Sequence, residues 1–195
     1  MPITETHDTS FVDTISQVLD KIIRQNDKMP NKTVTIFHAV RAPDIKINAY
    51  VERIAKYAGC NKDFFIMALI YIDRLIQRNP TYLLNSLNIH RLLMTSLVVA
   101  CKFSNDFFYN NAYYAMVGGV PVSELNALEL EFLYLLNFHL YIPQDLFDHY
   151  NAQLFKYSSS GPKQSSTPTS VSSCGMQSIR NNLEEGLSAT TVMED

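Results

Sequence analysis

Lys102 and Glu129 stand where charge is least expected. Lys102 follows the apolar run of residues 92–101 (LLMTSLVVAC), three and four positions after Val99 and Val98, so on a helix its stem rises from the buried stripe. Glu129 shares a helical face with Leu125, Phe132 and Leu136, which brings a carboxylate to the edge of the same core. An ammonium and a carboxylate placed this way make directional, charge-assisted hydrogen bonds, which suits recognition rather than bond breaking. Two readings are open at this level. The pair is presented to a partner, or it is internal, with Lys102 snorkelling at the negative end of its helix.

Other chemistry-bearing residues do not assemble into a reaction centre. Asp145, Asp148 and His149 form a DxxDH cluster, but it lacks the HExxH or ExxH pairing of helical metal sites, and no second carboxylate-rich helix complements it. His38, His90 and His139 stand apart in sequence, without a nucleophile turn near them. Cys60, Cys101 and Cys174 are odd in number and tens of residues apart, a spacing that matches neither a disulfide framework nor a zinc site. They read as reduced thiols, with Cys60 and Cys101 packed as small soft hydrophobes. The expectation is a protein with no catalytic residues, no metal and no cofactor. The aromatic stretch 104–111 (SNDFFYNN), followed by Tyr113 and Tyr114, reads either as a partner surface or as a cap on the open end of the core.

The elements that must position these residues are helical. Phe11, Ile15, Val18, Leu19, Ile22 and Ile23 recur at spacings of three and four, which predicts a first amphipathic helix. Residues 29–43 contain two prolines and the β-favouring run 33–37, and are read as an extended connector because no second strand is available. Pro43 and Asp44 are expected to open a second helix with the stripe Ile47, Tyr50, Val51, Ile54 and Ala58, closed by Gly59. Asn61 should cap a third, whose segment 64–72 is apolar on every side and therefore central. Asn88 is expected to start a fourth, through Phe103, with Thr95, Ser96, Ala100 and Cys101 small enough for a neighbouring helix to approach closely. After a short segment at 112–116 and the Gly118-Gly119 break, Ser123 should cap a fifth helix to about Asn137, and Pro143 a sixth to Leu154. The fold class is all-α.

The chain has 195 residues, enough for one domain with a full core plus a tail. The expected division is an N-terminal helix and connector over 1–43, the main domain over 44–155, and a disordered tail rich in Ser and Thr over 156–195. A net charge of −3 without a Lys/Arg run is no footprint for nucleic acid or an acidic membrane surface. The apolar run 64–72 is far short of the roughly 20 residues that span a bilayer, and the polar start MPITETHDTS is no secretory signal. Cytoplasm, nucleus or both are the expected locations. Thr167-Pro168, the chain's one Ser/Thr-Pro pair, is a candidate phosphosite for a proline-directed kinase, which would add about two negative charges there.

Taken in order, the segment ending Ala100-Cys101-Lys102-Phe103, then Leu128-Glu129, then 136–140 (LNFHL) and Pro143, resembles the cyclin box. Within the cyclins, 43–50 (PDIKINAY), 69–79 (LIYIDRLIQRN) and 104–120 (SNDFFYNNAYYAMVGGV) look like the phosphate-pathway, or P/U, type. The resemblance covers about residues 44–155. It implies a single five-helix box around the helix at 88–103, with an additional N-terminal helix, and a non-catalytic regulatory subunit of a cyclin-dependent kinase in cell-cycle or phosphate signalling. It further implies kinase contact by Lys102, Glu129, Phe138 and Leu140, with kinase substrates or inhibitors as further partners. The alternative is a cyclin-fold adaptor binding a promoter or polymerase complex, whose box is normally duplicated and more basic; a helical metal-hydrolase is a third. The chain departs from mitotic cyclins in having no tryptophan, and so lacks the one that forms part of their docking patch on the first box helix. It also lacks a destruction-box pattern near the N-terminus.

Overall fold

Apolar residues repeating every three or four positions produce seven α-helices, and no strand, among the residues that the computed structural model describes, 9–30 and 33–160. They are α1 (Thr9–Asn26), α2 (Ile47–Tyr57), α3 (Lys62–Arg78), α4 (Ile89–Ser104), α5 (Asn111–Gly118), α6 (Val122–Leu135) and α7 (Gln144–Ser160). The readings for Thr167, Cys174 and the tail from 161 lie outside the described residues.

The centre is α3 against α4, and both are buried on nearly every side. Leu69, Ile72, Leu97 and Val98 are shut off from solvent, and each such side chain stabilises the fold by about 1.5–3 kcal/mol relative to exposure. Two polar residues of α4, Thr95 and Ser96, are wholly buried, and their hydroxyls bond within their own helix. Thr95 Oγ1 donates to the Arg91 carbonyl at 2.7 Å and Ser96 Oγ to Leu93 at 2.9 Å, so their small bulk lets the helices close up. Around this pair, α6 packs on α4, α5 bridges α2, α4 and α6, and α1 lies against α2 and α7. The central position expected for residues 88–103 is where α4 stands.

Several boundaries follow the expected local chemistry. Asn61 Oδ1 accepts from the backbone N–H of Asp63 and Phe64, at 3.0 and 3.3 Å, and caps α3. Gly59, at φ +63°, turns the chain between α2 and α3; a Cβ there would meet the Tyr109 ring at 2.9 Å. Connector residues 33–46 form neither helix nor strand but are not extended throughout: the chain turns at 36–37, where His38 N–H donates to the Thr35 carbonyl at 3.0 Å, and buried Phe37 anchors it, its ring meeting Phe132 edge-on at 6.2 Å.

Three boundaries differ from expectation, each for a tertiary or steric reason. α2 begins at Ile47 rather than at Pro43 and Asp44, because His90 on α4 holds the Ile45 carbonyl at 2.9 Å and keeps that stretch out of the helix. Asn88 stands at the N-cap of α4, as expected, but makes no capping bond through its side chain. Its side chain accepts from Asn85 N–H at 2.9 Å and donates to the Leu83 carbonyl at 2.7 Å, organising the preceding loop instead. Pro121, with no N–H to satisfy, takes the N-cap of α6 and places Ser123 inside the first turn. α7 continues to Ser160, past Leu154, because Tyr157 still packs on the core and Ser158 meets Ser10 of α1 at 3.1 Å.

Candidate functional site

The last turn of α4 and the middle of α6 bring Lys102 and Glu129 together. Lys102 Nζ donates to both carboxylate oxygens, at 2.7 and 2.8 Å, and both side chains are mostly buried. Asn111, in the first turn of α5, donates to Glu129 Oε2 at 2.8 Å and to Asn126 Oδ1 at 2.7 Å. Three helices are thereby joined at one polar knot. An ammonium has three donors, so a further one remains for another acceptor.

Beside the knot, α6 turns apolar residues outward. Asn126, Leu130 and Tyr134 are spaced by four, one helical face, and Leu130 and Tyr134 are 52% and 61% exposed. Phe138 extends the row beyond the helix end: it is 56% exposed and packs edge-to-face on Tyr134 with ring centroids 5.5 Å apart. Leu140 behaves differently. It is half-buried and packs on the core, so the structure presents Phe138 and tucks Leu140 in.

Presenting Phe138 requires unusual backbone. Asn137 and Phe138 have φ of 52° and 55°, a left-handed conformation costing about 1–2 kcal/mol for each residue with a Cβ. Side chains of α3 hold the turn in that state through its carbonyls. Arg78 Nη1 donates to Leu136 O at 2.7 Å, Tyr71 Oη to Leu140 O at 2.9 Å, and Arg74 to Tyr141 O at 3.2 Å and to His139 O. Charge-assisted hydrogen bonds contribute about 1.5–3 kcal/mol each and offset the strain. Burial pushes the Tyr71 hydroxyl pKa up, so it stays protonated and able to donate.

The aromatic loop divides residue by residue. Phe107 is 88% exposed and Phe108 is also exposed, whereas Tyr109 stacks on Tyr113 at 4.2 Å and covers Gly59. Among the described residues no group of three or more His, Cys, Asp or Glu is placed to hold a metal; Asp148 of the DxxDH cluster accepts from Gln144 at 2.9 Å. A cleft of about 550 Å³ between α1, residues 42–48 and the first turn of α4 shares no residue with the α6 face. None of the described helices is long and apolar enough to cross a membrane. Cys60 and Cys101, far apart in sequence, meet in the core with sulfurs 2.8 Å apart, and both are free thiols.

Sequence reasoning missed several residues of this surface. Leu130 and Tyr134 were legible as a four-residue repeat offset from the buried Leu125, Leu128 and Phe132. Tyr71, Arg74 and Arg78 were not, because their partners are backbone carbonyls some sixty to seventy positions away.

The helical scaffold, with the apolar row of α6 beside the Lys102–Glu129 pair, has the cyclin fold. The cyclin family model matches residues 9–140, and the chain belongs to the cyclin family. The match takes in α1 as well as α2–α6. Its relatives are plant P- and U-type cyclins. It is similar to Cyclin-U4-1 of Arabidopsis thaliana, 43% identical over 147 residues that span 73% of each chain. It is also similar to two cyclins of Oryza sativa subsp. japonica: Cyclin-P3-1, 45% identical over 73% of this chain and 62% of that one, and Cyclin-P4-1, 37% identical over 72% and 70%. Membership places the chain among regulatory proteins of the cyclin type.

Proposed function

We propose that this cyclin binds a cyclin-dependent kinase through the face formed by the end of α4, α6 and the 136–141 turn, and thereby activates it. The observation that carries the reading is the row Leu130, Tyr134 and Phe138, exposed beside the mostly buried Lys102–Glu129 pair. Apolar anchors next to a desolvated, hydrogen-bonded charge pair are what a rigid partner needs for affinity and for register.

A protein kinase is active only when its N-lobe helix is placed so that its glutamate meets the nucleotide-binding lysine. A surface that binds only that arrangement shifts the kinase population by the difference in affinity for the two states. On this reading the cyclin does no chemistry. Phe138 supplies buried area, Lys102 offers its remaining donor, and Glu129 fixes Lys102 while Asn111 fixes Glu129. Cell-cycle or phosphate signalling is the setting that the P/U-type relatives support.

The test is a pull-down from native extract with wild type and with Lys102→Ala/Glu129→Ala, read by mass spectrometry and a kinase assay. A cyclin-dependent kinase and its activity recovered by wild type, and lost in the double variant at unchanged helicity, is the expected result. No kinase with either bait, and a promoter or polymerase complex instead, would overturn it.

A further inference from the structure

The proposed kinase face makes no use of two thiols that the fold brings together. Cys60 lies in the turn between α2 and α3, and Cys101 in the last turn of α4, immediately before Lys102. Both are almost wholly buried, and their Sγ atoms are 2.8 Å apart. A disulfide bond is about 2.05 Å long, so less than about 1 Å of approach separates this pair from a covalent link. We propose that Cys60 and Cys101 are a modification site, which hydrogen peroxide converts to an intramolecular disulfide joining the α2–α3 turn to the end of α4.

The two thiols are chemically unequal. The Cys60 thiol shares its hydrogen bond with Cys101, which lowers the Cys101 pKa, with help from the Tyr114 hydroxyl and against burial. The same hydrogen bond and burial push Cys60 up. Cys101 is taken as the nucleophile and Cys60 as the resolving thiol, and the atoms balance equally with the roles exchanged. Cys101 sulfur attacks one peroxide oxygen, the O–O bond breaks, and the product is a Cys101 sulfenic acid and water, the thiol proton leaving on the departing oxygen. Cys60 sulfur then attacks Cys101 sulfur, the S–O bond breaks, and the Cys60 proton leaves with the hydroxyl as a second water. Two thiols are oxidised and one peroxide is reduced to two waters.

Access is through the aromatic loop. The Tyr109 ring lies over Gly59, next to Cys60, and is about half exposed, so its displacement opens a path for a molecule little larger than water. Closing the 60–101 loop constrains the unfolded chain, and a rise in Tm of roughly 5–10 °C is expected. Drawing the end of α4 toward Cys60 also moves the backbone that carries Lys102. That consequence for kinase binding rests on the proposed function; the disulfide itself does not.

The experiment uses the full chain with Cys174→Ser, treated with hydrogen peroxide under native conditions. The expected result is an intact mass lower by about 2 Da, a cross-linked Cys60–Cys101 peptide, a higher Tm, and full reversal by dithiothreitol. Cys60→Ser should instead stop at the Cys101 sulfenic acid, about 16 Da heavier, and Tyr109→Ala should oxidise several-fold faster. Unlinked oxygen adducts on the two-thiol protein, or thiols that stay reduced while Tyr109→Ala is equally inert, would overturn the proposal. Kinase pull-down before and after oxidation separates the parts: a disulfide without a change in binding removes the regulatory consequence, and a wild type that captures no kinase in either state counts against the proposed function alone.

Discussion

α3 and α6 handle polarity in opposite ways. α3 buries a carboxylate: Asp73 Oδ2 accepts from Tyr150 of α7 at 2.5 Å and from Gln77 at 2.8 Å, while Arg74 and Arg78 reach the backbone of the 136–141 turn. α6 does the reverse and leaves Leu130 and Tyr134 in solvent. Buried polar groups with every bond made are structural, since removing one partner strands the others at a cost of about 1–3 kcal/mol each. Exposed large apolar groups contribute nothing to folding at the positions they hold, and a contiguous row of them marks an interaction surface. The contrast separates the bonded polar groups of α3, which hold the fold, from the apolar row of α6, which the proposed function uses.

The sharpest way to break that contrast is Asp73→Ala. It removes the carboxylate that accepts from the Tyr150 and Gln77 side chains and should destabilise the fold by about 2–3 kcal/mol in urea denaturation. A neutral result would remove the structural half of the argument. Phe138→Ala should do the opposite, weakening kinase binding by roughly 10- to 100-fold in a titration, with folding stability unchanged to within about 0.5 kcal/mol. Arg74→Ala joins the two regions. It should cost about 1–2 kcal/mol and speed amide exchange across 137–141, and Arg74→Lys should recover little, because an ammonium cannot span two carbonyls as a guanidinium fork does.

Smaller effects sharpen the edges. Lys102→Ala should lower stability by only about 0.5–1 kcal/mol with helicity retained by circular dichroism, since the pair is partly open to water. Loss of helicity would make the pair purely internal. The smallest effect concerns His90. Burial lowers its pKa from 6.5, its Nε2–H donates to the Ile45 carbonyl, and Nδ1 has no hydrogen-bond partner among the described residues. With the folded value depressed, the unfolded chain takes up the proton first, so stability is complete above pH 6.5 and falls as pH drops below it toward the folded value. His90→Phe should flatten that slope in thermal melts between pH 7 and 5.

The helices were legible because their signals are local. The stripe from Phe11 to Ile23, the all-apolar 64–72 and the Asn61 cap each act within a few residues, and each is found as read. Where a local signal failed, a distant group had won: His90 held Ile45 away from the helix expected at Pro43. The candidate face was half legible. Lys102 and Glu129 stood out as charges on apolar stripes, but that they bond to one another, with Asn111 as third member, depends on how α4, α5 and α6 cross.

By itself, the order of residues determined the all-α class, the central place of the two apolar helices and the presence of two anomalous charges, because periodicity and burial preference are written residue by residue. Only the tertiary structure decided which way Phe138 points, that three α3 side chains clamp the turn that carries it, and that Cys60 and Cys101 touch. Those facts rest on contacts between segments some forty to seventy positions apart, whose distances are set by helix packing and are encoded in no local pattern.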